Sequence, residues 1–313
     1  MLKLLIFGLF YVHTIFADDG YKCRVDTTHA EFNDTSIYCR NLKLDDKELP
    51  LDGPVPSTKM VEIHLVDCTG KIDENSFPKL RGVLTFINIY KADLEKFVLP
   101  EIPKLTYIGI TGSKIPSLNG AFKNVKNLES ITLIKDNCEI KEGDLDGLVN
   151  LDTFRCYKVK TQLTKRLLQD LRKLERLSVV EGRIGNVPSD AFQNNPDITV
   201  LELEDSSIKT IEPGTFDNLQ KLDRLDIKST DLQTFDVNLT KQFKSLNSLG
   251  IPARTLKGLD VKKLLENCPK LFTFNFKRND VSCPEVKSLF DEIEKTGRYM
   301  GVAYMSDDDG KTC

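Results

Sequence analysis

From Met60 onward the chain repeats one hydrophobic rhythm. A short stretch alternates apolar and polar residues, a longer mixed stretch follows, and the alternation returns. The first apolar residue of each copy is Met60, Leu84, Leu105, Leu128, Leu151, Leu174, Ile198, Leu222, Leu246 and Leu271, so the step is 21 to 25 residues. The clearest copy is ITVLELEDSSIKTIEPGTFDNLQK, from Ile198 to Lys221. Its Ile198, Leu201 and Leu203 make a stripe with period two at the centre, which predicts a strand with one buried face. Ile208, Ile211, Phe216 and Leu219 carry the apolar side around a return stretch. No single copy can bury that side alone, so the copies must stack and share one core.

Ten copies of L-x-x-L-x-L with a step of about 23 residues match the leucine-rich repeat. The predicted fold class is therefore α/β: a leucine-rich-repeat solenoid, or horseshoe, of about ten repeats with a parallel sheet on its concave face. Residues 60–282 are the repeats, 18–59 an N-terminal cap and 283–313 a C-terminal cap. The ninth position of such a repeat commonly holds Asn, whose amide satisfies backbone groups in the return loop. Here it reads Cys68, Ala92, Ser113, Asp136, Val159, Gly182, Ser206, Thr230, Arg254 and Asn279. With the Asn ladder nearly gone, irregular return loops and variable curvature are expected.

A stacked core needs covers at both ends, and disulfide staples are expected there. Cys23 and Cys39 sit in a polar stretch before the first repeat and are expected to pair across a hairpin-like cap. Cys283 follows the last strand, and PEVKSLFDEIEKTG then reads as a helix: Pro284 suits the first turn, Val286, Leu289, Phe290 and Ile293 form a stripe, and Gly297 ends it. A Cys283–Cys313 bridge would hold that helix over the core. Of the remaining four, Cys68, Cys138, Cys156 and Cys268 read either as buried thiols or, for Cys138 and Cys156, as a bridge between neighbouring coils.

The YKC at 21–23 with Cys39, repeats such as SIKTIEPGTFDNLQKL, and the ending Asn279-x-x-x-Cys283, apolar helix, Cys313 together resemble the secreted insect leucine-rich-repeat proteins of innate immunity. That group includes mosquito proteins that bind complement factors. The resemblance implies an extracellular recognition role. This chain departs from the mosquito proteins in lacking their C-terminal coiled coil, which leaves a monomer or weak oligomer as the expectation. Secreted inhibitors or carriers of extracellular enzymes, and venom or salivary effectors acting on host proteins, share the same build and are the alternative reading.

Positions three, five and seven of each repeat should face out of the sheet. Read in order, they group Phe86, Tyr90, Tyr107, Ile134 and Tyr157, with Gly109 and Gly112 leaving space among them. Lys91, Lys135, Arg155 and Lys158 border the group. Grouped aromatic and Arg side chains are the types that dominate binding energy. Residues 86–158 are therefore the expected partner site, with Phe86, Tyr90, Lys91, Tyr107, Ile134, Arg155, Tyr157 and Lys158 as its contacts. Glu181, Glu202, Glu204, Asp205 and Asp226 form a secondary acidic patch able to steer a basic partner.

Composition narrows the function further. The formal charge is −3 over 313 residues, with no clustered Lys/Arg to mark a nucleic-acid surface. Residues 1–17, with Lys3 ahead of an apolar run and a small Ala17, read as a signal peptide. The ending DDDGKTC carries no hydrophobic tail, so no membrane anchor is expected. Eight cysteines fit the oxidising secretory route, and Asn33 and Asn238 head glycosylation sequons. No G-x-S-x-G, P-loop, H-E-x-x-H or C-x-x-C occurs, so no enzyme activity, metal or cofactor is expected. The partner is an extracellular protein.

Overall fold

A computed structural model describes residues 23–27, 34–45, 48–228, 230–277, 283–297 and 301–305. Residues 1–17, Asn33, Asn279 and Cys313 lie outside them, as do the side chains of Lys135, Cys138, Cys283 and Val286. The chain divides into two units, Met1–Ser117 and Leu118–Cys313.

The first unit begins with β1 (Cys23–Asp26) and β2 (Asp34–Arg40), paired antiparallel so that Cys23 faces Cys39. The two cysteines form the expected disulfide. Asp52 ties the cap further: its carboxylate accepts from Val25 N–H at 2.7 Å. Strands β3 (Met60–Val66), β5 (Phe86–Tyr90) and β7 (Tyr107–Thr111) then add to β2 in parallel. A smaller parallel pair, β4 (Thr69–Ile72) with β6 (Asp93–Phe97), lines the return path.

The second unit carries β8 (Ser130–Ile140), β9 (Thr153–Thr161), β10 (Arg176–Val180), β12 (Val200–Glu202), β14 (Arg224–Asp226), β15 (Ser248–Gly250) and β16 (Thr273–Lys277), again parallel and in that order. Between them β11 (Gly185–Val187) pairs with β13 (Ile208–Ile211). The C-terminal helix spans Cys283–Glu294 and buries Leu289 and Ile293, while Gly297 takes φ +76° beyond its end. An added strand, β17 (Gly301–Met305), pairs parallel with β16. Each of the ten predicted copies thus supplies one strand of a parallel sheet.

Why the copies stack is plain from burial. Positions four and six point inward: Ile63 and Leu65, Ile87 and Ile89, Leu177 and Val179, Leu201 and Leu203 are all fully buried. Phe192, Phe216 and Phe243 continue the core on the return side, their rings 6.1 and 5.7 Å apart from coil to coil. Aromatic pairs at such distances add to the area they bury.

The return loops combine a repeated turn with the irregularity the sequence led one to expect. Position eight takes a left-handed conformation in coil after coil: Asp67, Lys91, Gly112, Lys158, Glu181 and Asp205 have φ between 51° and 60°. That turn aims the N–H at the neighbouring coil. Asp67 donates to Tyr90 C=O (2.9 Å), Lys91 to Thr111 C=O (2.9 Å) and Glu181 to Glu204 C=O (3.1 Å). A hydroxyl at position nine then does what the amide would have done. Ser206 Oγ accepts from Gly182 N–H (3.2 Å) and donates to the Val179 and Glu204 carbonyls (both 3.1 Å). Ser113 makes the same set with Ala92 N–H, Ile89 C=O and Thr111 C=O. Asn amides reappear elsewhere on the coil: Asn195 donates to Leu168 and Leu171 carbonyls, and Asn218 to those of Phe192 and Gln193. Irregularity enters as register shifts between Ile134 and Cys138 where β8 meets β9, and on the return path at Gly70/Lys71 and Gly185/Asn186.

Candidate recognition surface

In the first unit, strand register sets Phe86 beside Tyr107, and their rings lie 5.4 Å apart and tilted by 35°. Both stay partly open to solvent. A second row runs Tyr38, His64, Tyr90, nearly parallel rings with centroids 4.6 and 6.3 Å apart. His64 Nε2 lies 3.2 Å from the Glu62 carboxylate. The cap therefore contributes Tyr38 to this face, a residue the repeat pattern could not assign.

Two expectations change here. Tyr90 is only 9% exposed, because it stacks on the row started by Tyr38; burial pushes its phenol up to about 12. It supports the surface rather than presenting itself. Nor does Gly109 leave an open hollow: a Cβ there would lie 2.6 Å from Asn88 Oδ1 and 2.8 Å from Tyr107 Oη. The missing side chain lets Tyr107 fold across the strand. Gly112 holds the left-handed turn position instead of making room. Lys91 occupies that same turn position one coil earlier and is exposed.

In the second unit Ile134 and Tyr157 are register partners, and Arg155 stands between Thr132 and Ser178. Ile134, Arg155 and Tyr157 are partly exposed and Lys158 is exposed. Burial pushes the Tyr157 phenol up, and the Glu202 charge adds to it. Lys158 faces Glu181 at 3.9 Å across the exposed turn.

The acidic patch is a mixed charge cluster. Asp226 has no exposed surface, and Lys228 is 4% exposed. Lys228 Nζ is 2.6 Å from Asp226 Oδ2 and also bonds Glu204, while Arg224 approaches Asp226 at 3.2 Å and Glu202 at 3.5 Å. Burial pulls the Lys228 ammonium down, but Asp226 and Glu204 outweigh it and the net shift is upward. Burial, with Asp226 close by, pushes Glu204 up. The acids were expected to face outward together; the period of two along β14 and just past its end sets Arg224 and Lys228 on the same side as Asp226, and register sets Glu202 against them. Gly250, opposite Asp226, leaves the space that carboxylate needs. Asp205 and Glu181 are exposed.

Cys68, Cys156 and Cys268 are fully buried. Cys68 keeps its thiol, donating to Val66 and Cys39 carbonyls, and burial pushes its pKa up. Register sets Cys156 opposite Leu133 and Cys138 opposite Val159. Among the described residues no group of three or more His, Cys, Asp or Glu is placed to hold a metal, and no helix is long and apolar enough to cross a membrane.

Comparison with known proteins agrees with this geometry. Residues 172–232 match the Leucine rich repeat model, and residues 56–175 match the BspA type Leucine rich repeat region (6 copies). Volume-regulated anion channel subunit LRRC8E of Xenopus tropicalis is 24% identical over 183 residues, which take in 55% of this chain and 22% of that protein. The Xenopus laevis subunit matches to the same extent, so this chain spans about a fifth of the length of these relatives. Among solved structures, a chain of the TLR13–ssRNA13 complex has a TM-score of 0.59 at 21% identity, covering 69% of this chain and 32% of that one. A chain of the Toll–Spatzle complex of Drosophila gives 0.54 at 14% identity, covering 78% and 40%. A chain of the octameric complex of Latrophilin 3, Unc5D and FLRT2 (LRR) gives 0.56 at 17% identity, covering 83% and 87%. In repeat sequence and in fold, the chain is a leucine-rich-repeat protein.

Proposed function

We propose that the chain is a secreted, non-enzymatic recognition protein that grips an extracellular protein with the outward face of its strands, in insect-type innate immunity. The observation that carries this reading is the aromatic face of the first unit. Phe86 and Tyr107 pack as a tilted ring pair and remain partly exposed, on a base stiffened by the Tyr38–His64–Tyr90 row. Rigid aromatic side chains on a preformed base lose little entropy on binding, which is why such groups dominate interfaces. Arg155, Tyr157 and Lys158 of the second unit are further contacts. The Toll–Spatzle structure, described as a hub in Drosophila development and innate immunity, lends the fold a precedent for such a partner.

The rest of the reading follows the secretory route. Residues 1–17 are removed as a leader, Cys283 pairs with Cys313, and Asn33 and Asn238 carry glycans. Thr240 of the second sequon is buried and donates to Val237 C=O at 2.7 Å, so the Asn238 glycan is attached before that coil closes. The mature chain is a monomer or weak oligomer.

Affinity capture from the source animal's body fluid tests the proposal. Wild type is compared with Phe86→Ala/Tyr107→Ala and, separately, Arg155→Ala/Tyr157→Ala. A protein held by wild type and lost by the first variant supports the reading. Equal retention by every variant moves the site off the strand face, and retention of nothing removes the immune-recognition role within the animal.

A further inference from the structure

The second unit contains a groove away from the strand face. It holds about 600 Å³ beside the turns that follow β8, β9 and β10 and runs on to β13. Successive coils each deliver one cation to it: Lys141, Lys160, Arg183 and Lys209. Neighbouring coils lie one strand spacing, about 5 Å, apart, and register sets Lys160 directly beside Arg183, with Lys141 and Lys209 entering from the flanking coils. Register also sets Glu139 opposite Lys160. Glu139 takes both Lys160 (2.8 Å) and Lys141 (3.5 Å), whereas no ion pair engages Arg183 or Lys209 among the described residues. The groove is locally positive on a chain whose formal charge is −3.

We propose that this groove binds a sulfated oligosaccharide. Sulfate groups are taken by Arg183 and Lys209, the cations with charge to offer, and sugar hydroxyls donate to the carboxylates of Glu139 and Glu142. Gln162 and Ser207, also in the wall, suit sugar hydroxyls in the same way. The lining chemistry separates this ligand from single-stranded nucleic acid. Nucleic-acid grooves interleave cations with aromatic stacking platforms, and among the described residues no aromatic side chain lines this one. The two carboxylates would also repel a backbone with a charge on every unit, but they suit a ligand that mixes sulfates with hydroxyls. The volume lies in the range typical of small-ligand sites. This site is independent of the strand-face reading.

Calorimetric titration of the whole oxidised chain tests the proposal with three probes: a sulfated heparin tetrasaccharide, its desulfated counterpart and a thymidine oligonucleotide. The sulfated probe is expected to bind, and the desulfated one at least about tenfold more weakly, as loss of charge-assisted hydrogen bonds requires. Arg183→Ala/Lys209→Ala should weaken the sulfated probe at least about tenfold while leaving the melting curve in place. Lys104→Ala/Lys126→Ala, which removes two exposed cations elsewhere, should leave binding unchanged. The proposal is overturned by no binding to wild type, by equal loss in both variant pairs, or by a preference for the oligonucleotide.

Discussion

The ammonium of Lys228 stands 2.6 Å from the Asp226 carboxylate, and both groups are shut away from solvent. Removing one partner of a buried pair leaves the other charged in a medium that does not solvate it. Lys228→Met is expected to lower unfolding free energy by about 3 kcal/mol, measured by urea denaturation. Adding Asp226→Asn should recover part of that loss, because one of the two carboxylates that lost Lys228 is then neutral and Arg224 is left to Glu202. Additive losses from the two substitutions would show that the pair is not coupled.

Tyr90 gives the alkaline limb of stability a specific origin. Its phenol is raised from 10.0 to about 12 by burial first, then by the nearby Tyr107, Glu62 and Tyr38. A folded-state pKa above the unfolded one means that folding favours the protonated phenol. Its contribution is complete below pH 10 and is lost as pH rises from about 10 toward 12. Absorbance titration of phenolate should therefore show a late-ionising step that Tyr90→Phe removes, while the raised phenol of Tyr157 remains. The Tyr90→Phe protein should also lose less stability between pH 10 and 12.

Glu181 holds the left-handed turn at φ 54° without being glycine. That conformation costs an L-residue about 1–2 kcal/mol, partly offset in glycine by its larger unfolded-state entropy. Glu181→Gly is expected to raise stability by up to about 1 kcal/mol, since the exposed pair with Lys158 contributes little. Glu181→Val should lower it by about 1–2 kcal/mol. Denaturation midpoints of the two variants decide the point; equal midpoints would mean the turn relaxes at no cost.

Ser206 links Gly182 N–H to two carbonyls in the interior. Ser206→Ala removes the acceptor of the Gly182 N–H and one donor to the Val179 carbonyl, the Glu204 carbonyl keeping Glu181 N–H, and a loss of about 2 kcal/mol is expected. Thermal unfolding with an unchanged folded-state spectrum checks it.

These residues also mark where sequence reading succeeds and where it stops. The stripe at positions one, four and six was legible because the buried face of a strand tolerates few residue types, and the Cys23–Cys39 cap was legible from its place ahead of the first stripe. The turn at position eight was not, since Asp67, Lys91 and Glu181 share no turn propensity; the stacked coils impose the conformation. The missing Asn ladder did not reveal how the turn is satisfied, because a serine hydroxyl can both accept and donate, and Ser113 and Ser206 do both. On the outward face, Phe86 and Tyr107 were legible as a pair. Tyr90 was not legible as buried, for its cover comes from Tyr38 in the cap, which the repeat period does not place. Arg224 and Lys228 share the Asp226 side of their own strand by its period of two, but only register set Glu202 of the neighbouring strand beside them.

The most direct test of the recognition role is the dissociation constant of the captured partner, measured by calorimetry against wild type and Phe86→Ala/Tyr107→Ala. Hot-spot aromatics cost about 2 kcal/mol or more when truncated, so affinity should fall at least about thirtyfold with the folded-state spectrum unchanged. An affinity within about twofold of wild type would contradict the account, because the exposed aromatic pair would then contribute nothing to the contact it is proposed to make.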